Sequence, residues 1–177
     1  MRCGVCCGCC EAVNALAEEK CASNGGLPLL VDSRHGLIGF RGVTAVTPNE
    51  AEMRAVLEGR QGVALSNDDL FRETEALRER MGIQGLLLTR GKHGMVLFEA
   101  GRPPQSLDIF GGDNVADVTG AGDTVIAAMT LALAAGASFY EASRLATYAG
   151  GTVVTKRGTA TTSGDELRHA VVTDLAD

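Results

Sequence analysis

The run Asp117-Val118-Thr119-Gly120-Ala121-Gly122-Asp123, continuing into Thr124-Val125-Ile126-Ala127-Ala128-Met129, constrains this chain more than any other stretch. It sets small, permissive residues and an acid at the start of an apolar helix. The first amides of a helix have no partner within it and carry the positive end of its dipole. Glycine lets an anion approach that end closely, so the segment reads as an anion hole. Asp123 adds a carboxylate, from which an anion hole alone gains nothing. The carboxylate has a chemical use if it takes a proton from a hydroxyl as that hydroxyl attacks phosphorus. Taken alone, the same residues also describe an acidic helix start after a glycine turn.

A chain of 177 residues supports one core rather than two. With 45% apolar and 21% charged residues it has the composition of a soluble globular protein. A net charge of -6 without a long Lys/Arg cluster argues against a nucleic-acid partner, and 4% aromatics without Trp argue against a base-stacking surface. The most apolar run, Val125 to Ala135, is too short for a membrane span and is broken by Thr130, so it is expected to be a buried helix. Met1-Arg2 leads into Cys and Gly rather than an apolar core, so no secretory signal and a cytoplasmic location are expected.

Five of the six cysteines (Cys3, Cys6, Cys7, Cys9 and Cys10) crowd the start of the chain, and Cys21 follows. Cys3-x-x-Cys6 and Cys6-x-x-Cys9 have the spacing of zinc or iron–sulfur ligands. No second ligand pair comes later, and a disulfide framework would spread its cysteines along the chain. No structural metal is therefore expected; small buried thiols or an atypical start to the chain account for the cluster.

Strands and helices alternate along the chain. Helical spacing covers Glu11 to Cys21, with Val13, Leu16 and Ala17 on one side, and Asn24-Gly25-Gly26 ends it. Leu27–Val31 and Gly42–Thr47 read as short strands, Asn49–Glu58 and Asn67–Met81 as helices, and Leu86–Thr89 as a third strand. Met95–Glu99 and Ser106–Phe110 read as neighbouring strands across the Gly101-Arg102-Pro103-Pro104 turn. Helices are expected at Asp123, from Phe139 to about Thr155, and near Asp165–Val172. The alternation predicts an α/β fold, a mostly parallel sheet with helices on both faces, and ligand binding beyond the strands' C-terminal ends, where Asp32, Asn49, Thr89 and Gly120 fall. Residues 1–26 are expected to be a cysteine-rich segment and helix, and 27–177 the functional part.

The pattern D-x-T-G-A-G-D followed by T-V-I-A-A resembles the C-terminal signature of the ribokinase-like (PfkB) carbohydrate kinases. The likeness continues through Ala134-Ala135-Gly136-Ala137-Ser138, Leu145-Ala146 and the stretch from Val153 to Thr161, and covers roughly Leu27 to Leu167. Within the family it is most similar to the kinases that phosphorylate D-glycero-D-manno-heptose 7-phosphate on its anomeric hydroxyl, feeding nucleotide-activated heptose for cell-surface polysaccharide. Other sugar or nucleoside kinases of the superfamily are alternatives, as is a nucleotide-binding fragment without turnover.

The resemblance implies ATP as donor, with ADP and a phosphorylated sugar as the other ligands. It implies Asp123 as the catalytic base and the amides of Gly120, Ala121 and Gly122 as the anion hole. Thr89-Arg90-Gly91-Lys92-His93-Gly94 is similar to a turn that lines the nucleotide site, giving Thr89, Gly91 and Gly94; read alone it is a tight turn between strands. Thr147 stands at the helix edge beside the adenine, where relatives often carry Asn, and Tyr148 is bulkier than the family pattern. Asn49 and Glu52, one helical turn apart, match an N-x-x-E motif facing hydrated Mg2+; read alone they are an ordinary helix start. A K+-type cation would be held by Asp117, Thr119 and backbone oxygens near Val153, Lys156 and Gly158, hard ligands that suit it. The family's N-terminal strands, lid and most sugar contacts have no counterpart before Leu27, so the chain resembles a C-terminal half. That implies a homo-oligomer or a second chain supplying the missing half.

Overall fold

A computed structural model describes residues 7–22, 26–34, 36–62, 64–111 and 117–176. Among them the elements run α1 (Cys7–Ala22), β1 (Leu30–Val31), β2 (Ala45–Val46), α2 (Glu50–Gln61), α3 (Asn67–Met81), β3 (Gly85–Thr89), β4 (Met95–Glu99), β5 (Gln105–Leu107), α4 (Ala121–Ala134), α5 (Phe139–Val154) and α6 (Gly164–Ala176). The strands hydrogen-bond in chain order from β1 to β5. β1 pairs with β2, and β2 with β3, in parallel; Leu30 faces Ala45, which in turn faces Gly85.

The far side of the sheet is built differently. The links at 90–94 and 100–104 are too short for a crossover and make hairpins instead. Arg90 donates its amide to the Gly94 carbonyl at 2.9 Å, and Ala100 to that of Gln84 at 3.0 Å, the register of an antiparallel pair. The fold is α/β as expected, and its sheet is mixed.

The chain divides into two compact units, Met1–Leu88 with Phe98–Gln105 and Thr89–Leu97 with Ser106–Asp177. In the first, Ala45, Val46, Met53, Leu70, Leu86, Leu87, Leu88 and Phe98 are shut off from solvent, and Phe71 meets Phe98 edge-on at 5.9 Å. β1 and β2 are shorter than the apolar runs that predicted them. In α1 only part of the expected face is inward: Ala17 is buried and Leu16 is exposed. Cys9 is exposed, while Cys10 is buried against Gly39, where an added Cβ would lie 3.0 Å from its Sγ. Cys3, Cys6, the side chains of Cys7 and Cys21, and the turn at 24 and 25 lie outside the described residues.

In the second unit α4 packs on α5, and α5 on α6. A capping box starts α5: the Ser138 hydroxyl accepts from the Glu141 amide, and the Glu141 carboxylate accepts from the Ser138 amide. The small residues Ala142, Ala146 and Ala149 are fully buried along α5 and let its neighbours approach closely. The expectation of a buried α4 is corrected. Val125, Met129 and Ala132, at helical spacing, are inward, while Ala127 and Leu131 face out, Leu131 being 72% exposed. The run is apolar all round, but only one of its sides is packed.

Candidate functional site

Gly120 lies just before α4 with φ 80° and ψ 1°, the left-handed conformation that glycine adopts without strain. The turn makes Ala121, Gly122 and Asp123 the first three residues of the helix. The Val118 carbonyl takes the Ala121 amide at 3.2 Å, and the Gly120 carbonyl takes both the amide and the hydroxyl of Thr124 at 3.0 Å. The helix itself offers no acceptor to the amides of Gly122 and Asp123, so its first turn presents N–H groups and positive potential. Asp123 is exposed at the third position, where the dipole favours a carboxylate.

This first turn borders two cavities. Ala121 and Gly122 line one of about 350 Å³, together with Thr89, Gly91 and Gly94 of the β3–β4 turn and Thr147 of α5. Gly120 and Asp123 line the other, of about 670 Å³, with Thr124 and the segment from Thr159 to Gly164. Residues 89, 91, 94, 121, 122 and 147, far apart in sequence, are thus brought to one cavity. The candidate base lies on the other side of the same helix start.

Gly94 fixes the mouth of the β3–β4 turn, with φ 74° and ψ -144°. Thr147 is buried; its hydroxyl donates to the Ser143 carbonyl at 2.9 Å and lies 3.7 Å from Met95 Sδ. Tyr148 does not enter the cavity. Its ring meets Phe110 edge-on at 5.2 Å, and its hydroxyl donates to Asp174 of α6 at 2.6 Å. Burial, and then the bond to Asp174, push the Tyr148 phenol above its ordinary pKa, while the bond from Tyr148 and the charge of Arg144 hold Asp174 below its own.

The wall also contains Val125, from the matched signature, and Met95, Ile109, Phe110, Gly150 and Gly151, which motif matching missed. The glycine pair inside α5 was the available signal, because two adjacent glycines weaken a helix and need a steric reason. The reason is close approach. A Cβ on Gly151 would lie 2.3 Å from the Phe110 carbonyl oxygen, and one on Gly150 would lie 3.0 Å from Val125 Cγ2.

Two of the expected cation ligands, Thr119 and Gly158, converge on the carboxylate of a third, Asp117. Asp117 accepts from the Thr119 amide at 2.9 Å and the Gly158 amide at 3.2 Å. The Thr119 hydroxyl, then its amide, and also those of Gly158 and Val118 hold its pKa below the usual carboxylate range. The Val153 carbonyl accepts from the Lys156 amide at 3.0 Å, and Lys156 itself pairs with Glu166 at 2.6 Å.

Asn49 and Glu52 belong to the first unit and form a capping box at the start of α2. The Asn49 side chain accepts from the Glu52 amide at 2.9 Å, and a Glu52 carboxylate oxygen accepts from the Asn49 amide at 3.0 Å. Among the described residues no three His, Cys, Asp or Glu side chains cluster to hold a metal ion, and no helix is long and apolar enough to cross a membrane.

The comparisons with known proteins fit this geometry. The chain is 42% identical over 147 residues to the bifunctional protein HldE of Nitrosococcus oceani, covering 82% of this chain and 30% of that protein. It is 41% identical over 163 residues to HldE of Alcanivorax borkumensis, covering 92% of this chain and 32% of that protein. It therefore spans about a third of the length of these curated relatives. Two solved structures share the fold. Ribokinase from Arabidopsis thaliana, complexed with ribose and ATP, has a TM-score of 0.73 at 24% identity over 90% of this chain and 52% of that one. Phosphofructokinase-2 from Escherichia coli, in complex with potassium, has a TM-score of 0.75 at 23% identity over 92% of this chain and 52% of that one. The model of the pfkB family of carbohydrate kinases matches residues 3–166, and the chain belongs to that family.

Proposed function

We propose that this chain carries the donor site and the general base of an ATP-dependent sugar kinase whose acceptor is the anomeric hydroxyl of D-glycero-D-manno-heptose 7-phosphate. The observation that carries the proposal is the single helix start shared by two cavities, with Ala121 and Gly122 on one and Asp123 on the other. ATP lies in the smaller cavity, its base against the apolar wall and its phosphates at the amides of the first turn of α4. The acceptor hydroxyl approaches from the side of Asp123. The carboxylate takes the hydroxyl proton, the oxygen attacks the γ-phosphorus, and the bond from that phosphorus to the β-phosphate oxygen breaks. ADP and the sugar phosphate are released. Gly120 leaves room for the phosphoryl group, and the fixed N–H groups meet the negative charge that develops on it.

The donor sets suit the ions that such chemistry uses. Asp117, Thr119 and the backbone oxygens of Val153, Lys156 and Gly158 are hard oxygen ligands of the kind a K+ ion takes. An ion held by these residues would supply positive charge to the phosphoryl-transfer step. In the first unit, Asn49 and Glu52 offer an amide and a carboxylate of the kind that would hold the water shell of Mg2+. Their mutual cap engages one atom of each side chain and leaves the second carboxylate oxygen of Glu52 for a hydrated cation. Residues 27–177 form the kinase part in this reading, acting in the cytoplasm with the remainder of the kinase fold supplied by further polypeptide or a second copy. The resemblance to heptose kinases and the identity to the HldE proteins support this acceptor.

The test is ADP formation from Mg·ATP with a panel of acceptors. Release that depends on D-glycero-D-manno-heptose 7-phosphate and is far weaker with ribose or fructose 6-phosphate is the expected result. Equal release with every acceptor, or none with any from folded protein, contradicts it.

A further inference from the structure

We propose that Tyr148 is a positioning residue for the nucleotide base, acting through Phe110, an inference that rests on the donor-site reading above. Phe110 lines the cavity and is held from two directions. Its backbone is pressed onto α5 at Gly151, where a Cβ would lie 2.3 Å from the Phe110 carbonyl oxygen. Its ring is backed by the Tyr148 ring at 5.2 Å and 74°. Tyr148 is itself clamped. Its hydroxyl bonds to Asp174 at 2.6 Å and to the Arg144 guanidinium, Arg144 pairs with Asp174 at 2.7 Å, and the same guanidinium lies over the Tyr148 ring at 5.0 Å.

Each member of this array constrains another. An edge-to-face aromatic pair has a preferred angle, so a fixed Tyr148 ring fixes the plane of Phe110. The hydroxyl stops Tyr148 from turning, because leaving its position strands a nearly buried polar atom without its partner. The last link, Asp174, lies on α6, so the docking of α6 is coupled to the shape of the base wall. A small residue at 148 would leave Phe110 without a backing. The phosphate end of the cavity, at Ala121 and Gly122, has no part in the array, so the effect is confined to the base.

Isothermal titration of the chain with Mg·ATP and, separately, with magnesium tripolyphosphate tests this. Tripolyphosphate probes the helix start without a base. Tyr148→Phe keeps the ring and loses the clamp, while Tyr148→Leu loses both. Expected is a rise in the dissociation constant for Mg·ATP of about 3-fold in the first and about 10-fold in the second, the range an aromatic contact commands, with tripolyphosphate binding unchanged. Circular dichroism shows that each variant is folded, and Tyr148→Phe decides alone if Tyr148→Leu is not. Unchanged Mg·ATP binding in the folded variants overturns the inference while leaving the donor site intact. Equal weakening of both ligands also overturns it, because that is the mark of general loosening. Wild-type protein that binds neither ligand removes the donor-site reading, and this inference with it.

Discussion

A Cβ on Gly94 would stand 2.1 Å from the carbonyl oxygen of Leu107. The β3–β4 turn and the end of β5 touch backbone to backbone at this point, and only a residue without a side chain fits. The φ of 74° adds a second reason for glycine. Gly101 has a similar φ of 77° and open space around it. Gly94→Ala is therefore expected to destabilise the fold by more than ~3 kcal/mol, against ~1–2 kcal/mol for Gly101→Ala, where only the backbone conformation counts. Urea unfolding of the two variants measures the difference; equal losses would show that the turn yields at Gly94.

The capping box at Asn49 and Glu52 separates a structural role from a chemical one. Asn49→Ala is expected to cost ~1 kcal/mol of stability, and Asn49→Asp to cost almost none, because Asp caps a helix as well as Asn. Glu52→Gln keeps the reach back to the Asn49 amide and loses only charge. If the pair holds hydrated Mg2+, Glu52→Gln raises the Mg2+ concentration needed for half-maximal turnover while costing no more stability than the ~0.3–1 kcal/mol of a first-turn carboxylate. A shifted midpoint with unchanged Mg2+ demand would leave the pair as a cap alone.

Acid should loosen the start of α6 in a defined window. Lys156, and then the Ser163 amide and hydroxyl, hold Glu166 down to about 2 from its ordinary 4.5. The unfolded chain takes up this proton as pH falls below about 4.5, whereas the folded chain resists until about 2. The stabilisation is thus complete above about pH 4.5 and is lost as pH falls through about 2. Wild type should exceed Glu166→Gln in stability by an amount that shrinks across that window. A difference that stays constant with pH would mean the Lys156 pair adds nothing to folding.

Much of this fold was legible because its cues are local. The boundaries of α3 and β4 follow from helical spacing and a short apolar run, and the hairpin nature of the last strands follows from Gly101 and two prolines. The sidedness of α4 was not legible. Its apolar residues run all round, and nothing local tells Val125 from Leu131; the contact with α5 decides it. The expected residues Ala121, Gly122, Thr89, Gly91, Gly94 and Thr147 meet at one cavity; all but Thr147, which was legible only through the family resemblance, belong to motifs marked in sequence by glycines or a helix start. Phe110, Met95 and Tyr148 carry no such mark. An aromatic ring backing another across 38 positions is a product of packing, visible only once α5 and the chain after β5 are laid together.

The most direct test of the account compares wild type with Asp123→Asn in two measurements on the same preparations. One is Mg·ATP affinity; the other is ADP formation with D-glycero-D-manno-heptose 7-phosphate. Asn keeps the shape of the helix start and removes the base, so affinity should stay within about 2-fold while turnover falls at least ~100-fold. Turnover that survives in the Asn variant at close to the wild-type rate would contradict the assignment of Asp123 as the proton acceptor.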